Sequence, residues 1–167
     1  MLYAQKVSFG LSAGAGFNKN EFYYREAKVS DSYYRFSYKG GVRGKLKLTK
    51  KISFNSELNY FHKAYKVSSI NLSDNYLEIP VYCGFEVKFF ELLIGMTNNF
   101  YVENNNSLLS FYTLSGLLGF TYGVGDMDFG VFFNRELISN QIKIADGYNS
   151  AYHRSIMFSI YLPIKFR

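Results

Sequence analysis

The final stretch of the chain constrains its fold more than any other. Between Tyr152 and Arg167, Tyr152, Arg154, Ile156, Phe158, Ile160, Leu162, Ile164 and Phe166 fall on one phase, and all but Arg154 are apolar or aromatic. His153, Ser155, Met157, Ser159, Tyr161, Pro163 and Lys165 fall on the other. Side chains alternate faces along a strand, so the stretch predicts one long β-strand with an apolar face and a mixed face. It is longer than a usual strand and suits a tilted, membrane-spanning one. Pro163 has no N–H to give a ladder and predicts a lost bond or a bulge near that end.

Seven further segments read the same way: about Lys6–Phe17, Tyr34–Leu48, Ile52–Tyr60, Leu77–Lys88, Leu92–Tyr101, Tyr112–Val124 and Met127–Glu136. The fifth of these opens Leu-Leu-Ile-Gly-Met, apolar on both phases, so its facing stays open. Short connections at Thr49–Lys51, Phe89–Phe90 and Gly125–Asp126 alternate with long polar ones at Asn18–Ser32, Lys63–Asp74, Glu103–Ser107 and Ser139–Ala151. Tight turns at one rim and loops at the other are what a closed barrel of even strand number requires. The expected fold is all-β, an eight-stranded antiparallel up-and-down transmembrane β-barrel. The last strand closes it against the first through the Val7–Phe17 region, which removes both sheet edges. Matching apolar phases pairs Leu48 with Ile52, which sets Arg43 opposite Glu57 as a cross-strand ion pair.

Composition agrees with strands and turns. The chain has 16 Tyr, 17 Phe, 14 Gly and only two Pro, and no apolar run long enough for a transmembrane helix. The net charge of +6 comes without a basic helix or compact basic motif, so no nucleic-acid partner is expected; the lysines gather near strand ends, where they meet water or headgroups. Cys83 is the only cysteine and sits on an apolar phase as a small hydrophobe. One domain is expected over residues 5–167. Residues 1–4 read as the remnant of a signal peptide, with Leu2-Tyr3-Ala4-Gln5 resembling its cleavage region.

Three features turn the apolar phase towards lipid. The polar phase of the first strand is Ser8, Gly10, Ser12, Gly14 and Gly16, small enough for the crowded interior of a narrow barrel. The centres of the apolar phases carry no charge; Arg135, Arg154 and His62 break them only near loop-side ends, where a lipid-facing charge costs little. Aromatics gather at both ends of the phases: Phe17, Tyr38, Tyr60, Tyr112 and Tyr152 on the loop side, Phe85, Tyr122, Phe129 and Phe166 on the turn side. The expected location is a bacterial outer membrane, with outer-membrane lipid as surroundings. A soluble lipocalin-like barrel holding an apolar small molecule is the alternative.

The segment Asn75-Tyr76-Leu77-Glu78-Ile79-Pro80-Val81 resembles the Tyr-Leu-Glu-Ile-Pro segment of small outer-membrane β-barrel proteins of Bacteroidota, the PorT-like barrel family. The Gly-rich first strand and the near-terminal aromatic are similar too. The resemblance implies an eight-stranded outer-membrane barrel with both termini in the periplasm. It brings no functional residues, because the family has no single activity. Phe166 resembles the signal read by the barrel-assembly machinery, which makes that machinery the expected partner during biogenesis; Arg167 and Pro163 depart from the pattern.

Inside such a barrel the expected charges are Lys39, Arg43, Lys45, Glu57, Glu78, Glu86, Asp128 and Glu136, read as a salt-bridged plug rather than a path for ions. No catalytic set, cofactor site or metal site is expected. Ser56 and His62 share a face but lie about 20 Å apart along a strand, and His153 meets Glu136 only if the last two strands take one register. A lipid-modifying outer-membrane enzyme is therefore the third reading. Any binding is expected through the long loops, at Phe22, Tyr23, Tyr24 and Tyr148, with a protein partner as the occupant.

Overall fold

The computed structural model describes residues 6–24, 27–31, 34–67, 70–103, 112–138, 140–144 and 147–164. The strands are β1 (Lys6–Tyr24), β2 (Ala27–Asp31), β3 (Arg35–Lys47), β4 (Ile52–Val67), β5 (Ile70–Val87), β6 (Phe90–Glu103), β7 (Tyr112–Val124), β8 (Met127–Glu136), β9 (Asn140–Ile144) and β10 (Gly147–Ile164). Every pairing is antiparallel and joins sequence neighbours, except that β1 also pairs with β3, β8 with β10, and β10 closes on β1 from Phe9↔Ile164 to Tyr24↔Asn149. Short β2 takes over from β3 beside the far end of β1, and β9 from β8 beside β10. The wall is thus a closed barrel of eight staves.

The register sets its dimensions. Partners followed once round run Lys19, Arg154, Arg135, Gly116, Met96, Val81, Ser56, Gly44 and back to β1 at Phe9, ten residues from the start. A shear of ten over eight strands tilts the strands by about 40° and gives a backbone radius of about 8 Å. Such an interior holds side chains and little else. At that tilt each residue climbs about 2.5 Å along the axis. The 18 residues of β5 therefore rise well beyond the ~25 Å lipid-facing band of an outer-membrane barrel.

The two phases separate as alternation demands. Phe9, Val42, Ile94 and Phe158 are each more than half exposed on the outside, whereas Asn59, Glu78 and Tyr76 are sealed within. A lipocalin-like barrel would have the opposite arrangement, apolar within and polar without. So large an apolar exterior is a lipid-facing surface, and the soluble alternative falls. In β6 the open question of facing resolves with Leu92, Ile94 and Met96 outside and Leu93, Thr97 and Asn99 inside.

Several expectations need correction. Much of the polar sequence assigned to loops continues the strands: β4 and β5 pair as far as Val67↔Ile70, and β1 runs on to Tyr24. Above the membrane a strand no longer needs an apolar face, so alternation fades while backbone pairing continues. Of the two outcomes expected at Pro163 the bulge is not seen, because the β1 register passes unbroken through Gly10↔Pro163; on the other side pairing with β8 already ends at Tyr161↔Asp128. Pro80 has the larger effect: the β4–β5 ladder lapses between Ser56↔Val81 and Asn59↔Glu78 without slipping. Residues 1–5 and 165–167, including Phe166, lie outside the described residues.

The turns keep to one rim. Thr49 Oγ1 accepts the N–H groups of Lys51 and Ile52 at 3.1 and 3.0 Å, closing the β3–β4 hairpin. Gly125 takes a φ of 61° in the β7–β8 turn. The described ends of β1 and β10 lie at this same rim.

At the closing seam the backbones approach closely. A Cβ on Gly16 would stand 2.0 Å from the Ile156 carbonyl oxygen. Gly16→Val is expected to destabilise the barrel by about 1–3 kcal/mol through overpacking, with Ala15→Val on the lipid side near neutral. Heat-modifiable gel migration during urea titration checks both.

Candidate functional site: the filled lumen

The lumen is packed along its length by polar and aromatic side chains on the inward phases of all eight staves. At the turn-side mouth, Lys45 Nζ lies 2.6 Å from Glu91 Oε2 and 3.8 Å from Asp128 Oδ2. Glu91 also accepts hydrogen bonds from Ser53 and, at 3.4 Å, from Thr121. Glu86 sits half-exposed at this rim, 3.8 Å from Lys47.

The middle layer is buried. Lys39 Nζ meets Glu78 Oε1 at 2.6 Å, and Asn59 donates to both Glu57 (2.8 Å) and Glu78 (3.3 Å). Arg43 and Glu57 are register partners on β3 and β4, but they form no direct ion pair. The guanidinium instead donates to Asn55 at 2.8 Å and stacks against Tyr82 and Tyr161, 5.5 and 4.7 Å from their ring centroids. Tyr82 donates to Glu57. A planar cation gains from two ring faces and a neutral acceptor, while the carboxylate is satisfied by a phenol and an amide. Counting charges along a strand does not reveal this exchange of partners.

Nearer the far rim, Lys63 Nζ lies over the rings of Tyr76 and Phe61, at 4.3 and 5.2 Å, amid the charges of Glu136, Glu78 and Asp74. The Tyr76 hydroxyl lies 2.6 Å from that of Tyr101 and 3.4 Å from Asp74 Oδ2, and its single proton serves one of them at a time. Glu136 accepts the His153 backbone N–H at 2.9 Å, with the imidazole Nε2 at 3.8 Å. The structure thus brings Glu136 and His153 together.

The inward charges expected from the sequence do not include Lys63, Asp74 and Glu91. Lys63 and Asp74 fell in what read as a loop, yet they are inward register partners on β4 and β5. Glu91 shares the phase of Leu93, and its facing follows once that of β6 is known.

The two histidines occupy different settings. His62 faces outward, stacks on Tyr38 at 5.0 Å and contacts Asn75 Oδ1 at 2.9 Å. His153 and Glu136 resemble half of a proton-relay set, but their side chains are only 6% and 0% exposed, which leaves a substrate no approach to them. Phe22, Tyr23 and Tyr24 lie in β1, and Tyr148 in β10, all in paired backbone rather than loops; their side chains are outside the described part.

What the lumen can do chemically follows from its filling. Tyr76, Tyr82, Phe61 and Phe132 are fully buried across the bore; between them Lys39 is paired with Glu78, while Arg43 and Lys63 lie over aromatic rings with carboxylates nearby.

No family model matches the chain, and no curated protein matches it by sequence. Among solved structures it is similar to the Neisserial surface protein A, over 95% of this chain and 99% of that one, at 11% identity and a TM-score of 0.60. The outer membrane protein OprG of Pseudomonas aeruginosa is matched over 93% of both chains at 11% identity and a TM-score of 0.48. Ail, the attachment invasion locus protein of Yersinia pestis, is matched over 90% of this chain and 97% of that one at 10% identity and a TM-score of 0.41. The first of these likenesses establishes the barrel fold. That fold and the apolar exterior together place the chain in a bacterial outer membrane.

Proposed function

We propose that the chain is a non-conducting, non-catalytic outer-membrane barrel with a structural or interaction role, of the PorT-like kind found in Bacteroidota. The filled lumen is the observation that carries this reading. Four large aromatic side chains, each at most 2% exposed, fill its bore among buried charged side chains, and a channel needs a continuous polar path instead. Support for the narrower kinship comes from Asn75–Val81, where Tyr76, Glu78 and Pro80 turn inward and Glu78 holds Lys39.

Interaction then falls to the part of the barrel that stands above the lipid: the outer ends of β1, β4, β5 and β10 with β2 and β9. Phe22, Tyr23, Tyr24 and Tyr148 belong to that wall, and a protein partner is its proposed occupant. Rigid paired strands present side chains at less entropic cost than free loops do.

Planar bilayers test the first half: the purified protein is expected to give no stable open steps, and large stable steps would contradict a filled lumen. Deleting residues 22–28 tests the second. Loss of a co-purifying partner from native membranes is expected, and unchanged pull-downs would count against the wall as an interface.

A further inference from the structure

We propose that the outer face of β6, β7, β8 and β10 binds one phosphate-bearing lipid of the outer leaflet, with its phosphate between Arg135 and Arg154 and an acyl chain in the groove below them. The site rests on the outer-membrane location and is independent of the interaction role above.

Arg135 and Arg154 are direct register partners on adjacent strands, and both face outward. Side chains so placed start about 5 Å apart, and like charges in that arrangement repel. Arg154 is partly compensated by Glu21 at 3.0 Å. No hydrogen bond or ion pair of the Arg135 guanidinium is found among the described residues. One arginine at a membrane surface is explained by its stem lying along lipid with its head among headgroups. Two opposed arginines, one without a partner among the described residues, call for an anion between them.

The groove identifies what carries that anion. Continuing the same row, the residue beside Arg135 is Gly116, followed by Met96. The missing side chain opens a groove of about 710 Å³ flanked by Met96, Leu118, Phe133, Leu137 and Ile156. A Cβ added to Gly116 would meet nothing nearer than Leu137 at 3.7 Å, so the backbone does not require glycine here. Phe133 and Ile156 are the next outward residues towards the membrane centre from the two arginines. The guanidinium groups therefore sit at headgroup depth and the groove enters hydrocarbon. A free phosphate would leave the groove empty, and an uncharged lipid would leave the arginines opposed. A phosphorylated lipid satisfies both, because guanidinium forks match phosphate oxygens in bidentate geometry.

The test reconstitutes the unaltered chain, Arg135→Gln and Gly116→Phe in phosphatidylcholine nanodiscs doped with bis-phosphorylated lipid A or with its dephosphorylated counterpart. Lipid retained per barrel is read by native mass spectrometry after release, with heat-modifiable migration as the folding check. One phosphorylated lipid is expected on the unaltered barrel. Each substitution is expected to lower its retention about tenfold, the scale of one lost charge-assisted contact, and the dephosphorylated lipid is expected to be retained no better than by the variants. Undiminished retention by folded Arg135→Gln would overturn the proposal. So would equal retention of the two lipids by the unaltered chain, a comparison that needs no variant to fold.

Discussion

Replacing Glu78 with alanine is expected to lower the stability of the folded barrel by about 3–5 kcal/mol, the usual consequence of leaving one member of a buried ion pair alone. Lys39 and Glu78 meet at 2.6 Å with side chains 4% and 1% exposed, so neither finds water when its partner is removed. Asn59 also loses one of its two carboxylate acceptors. Lys39→Met combined with Glu78→Leu is expected to recover most of the loss, since buried pairs give back much of their attraction as desolvation. Urea titration of the barrel in phosphatidylcholine vesicles, followed by far-ultraviolet circular dichroism, measures all three proteins. Equal instability of the single and double variants would show that packing, and not the stranded charge, is what matters there.

Ile94→Arg is expected to cost about 2–4 kcal/mol in the same assay, and Phe36→Arg no more than about 1 kcal/mol. Both residues are more than half exposed, at 54% and 59%, so the difference arises from depth. Ile94 pairs with Cys83 and Leu118 within the apolar rows, whereas Phe36 lies across from Phe17 near the far rim. On a water-facing surface either arginine would be close to neutral. Similar small effects at both positions would therefore contradict a bilayer around the barrel.

Legibility in the sequence followed the membrane. Wherever a strand crosses lipid, apolar and polar residues must alternate, so β7 and β8 can be bounded from sequence, as can the register that sets Arg43 across from Glu57. The seam of β1 with β10 is legible for the same reason. Above the lipid that constraint lapses. Lys63 and Asp74 look like loop residues in the sequence, though they face each other inside the barrel on β4 and β5. Partner choice within the lumen is less legible still, because it depends on three-dimensional neighbours. Arg43 reaches Asn55 and two tyrosine rings contributed by β4, β5 and β10. The proximity of His153 to Glu136 depends on the register of β8 with β10, which alternation narrows to every second residue and no further. The groove beside Arg135 depends on Gly116 being its row neighbour on β7, again a matter of register rather than of local pattern.

Cys83 allows the central claim to be measured directly. It is the chain's only cysteine, it lies on the outward phase of β5, and its row neighbours are Phe54 and Ile94. A nitroxide attached there, in the protein reconstituted in lipid vesicles, is expected to collide readily with oxygen and to be shielded from a water-soluble nickel chelate. A label open to the nickel chelate and poorly accessible to oxygen would place this face in water and contradict a lipid-facing apolar exterior.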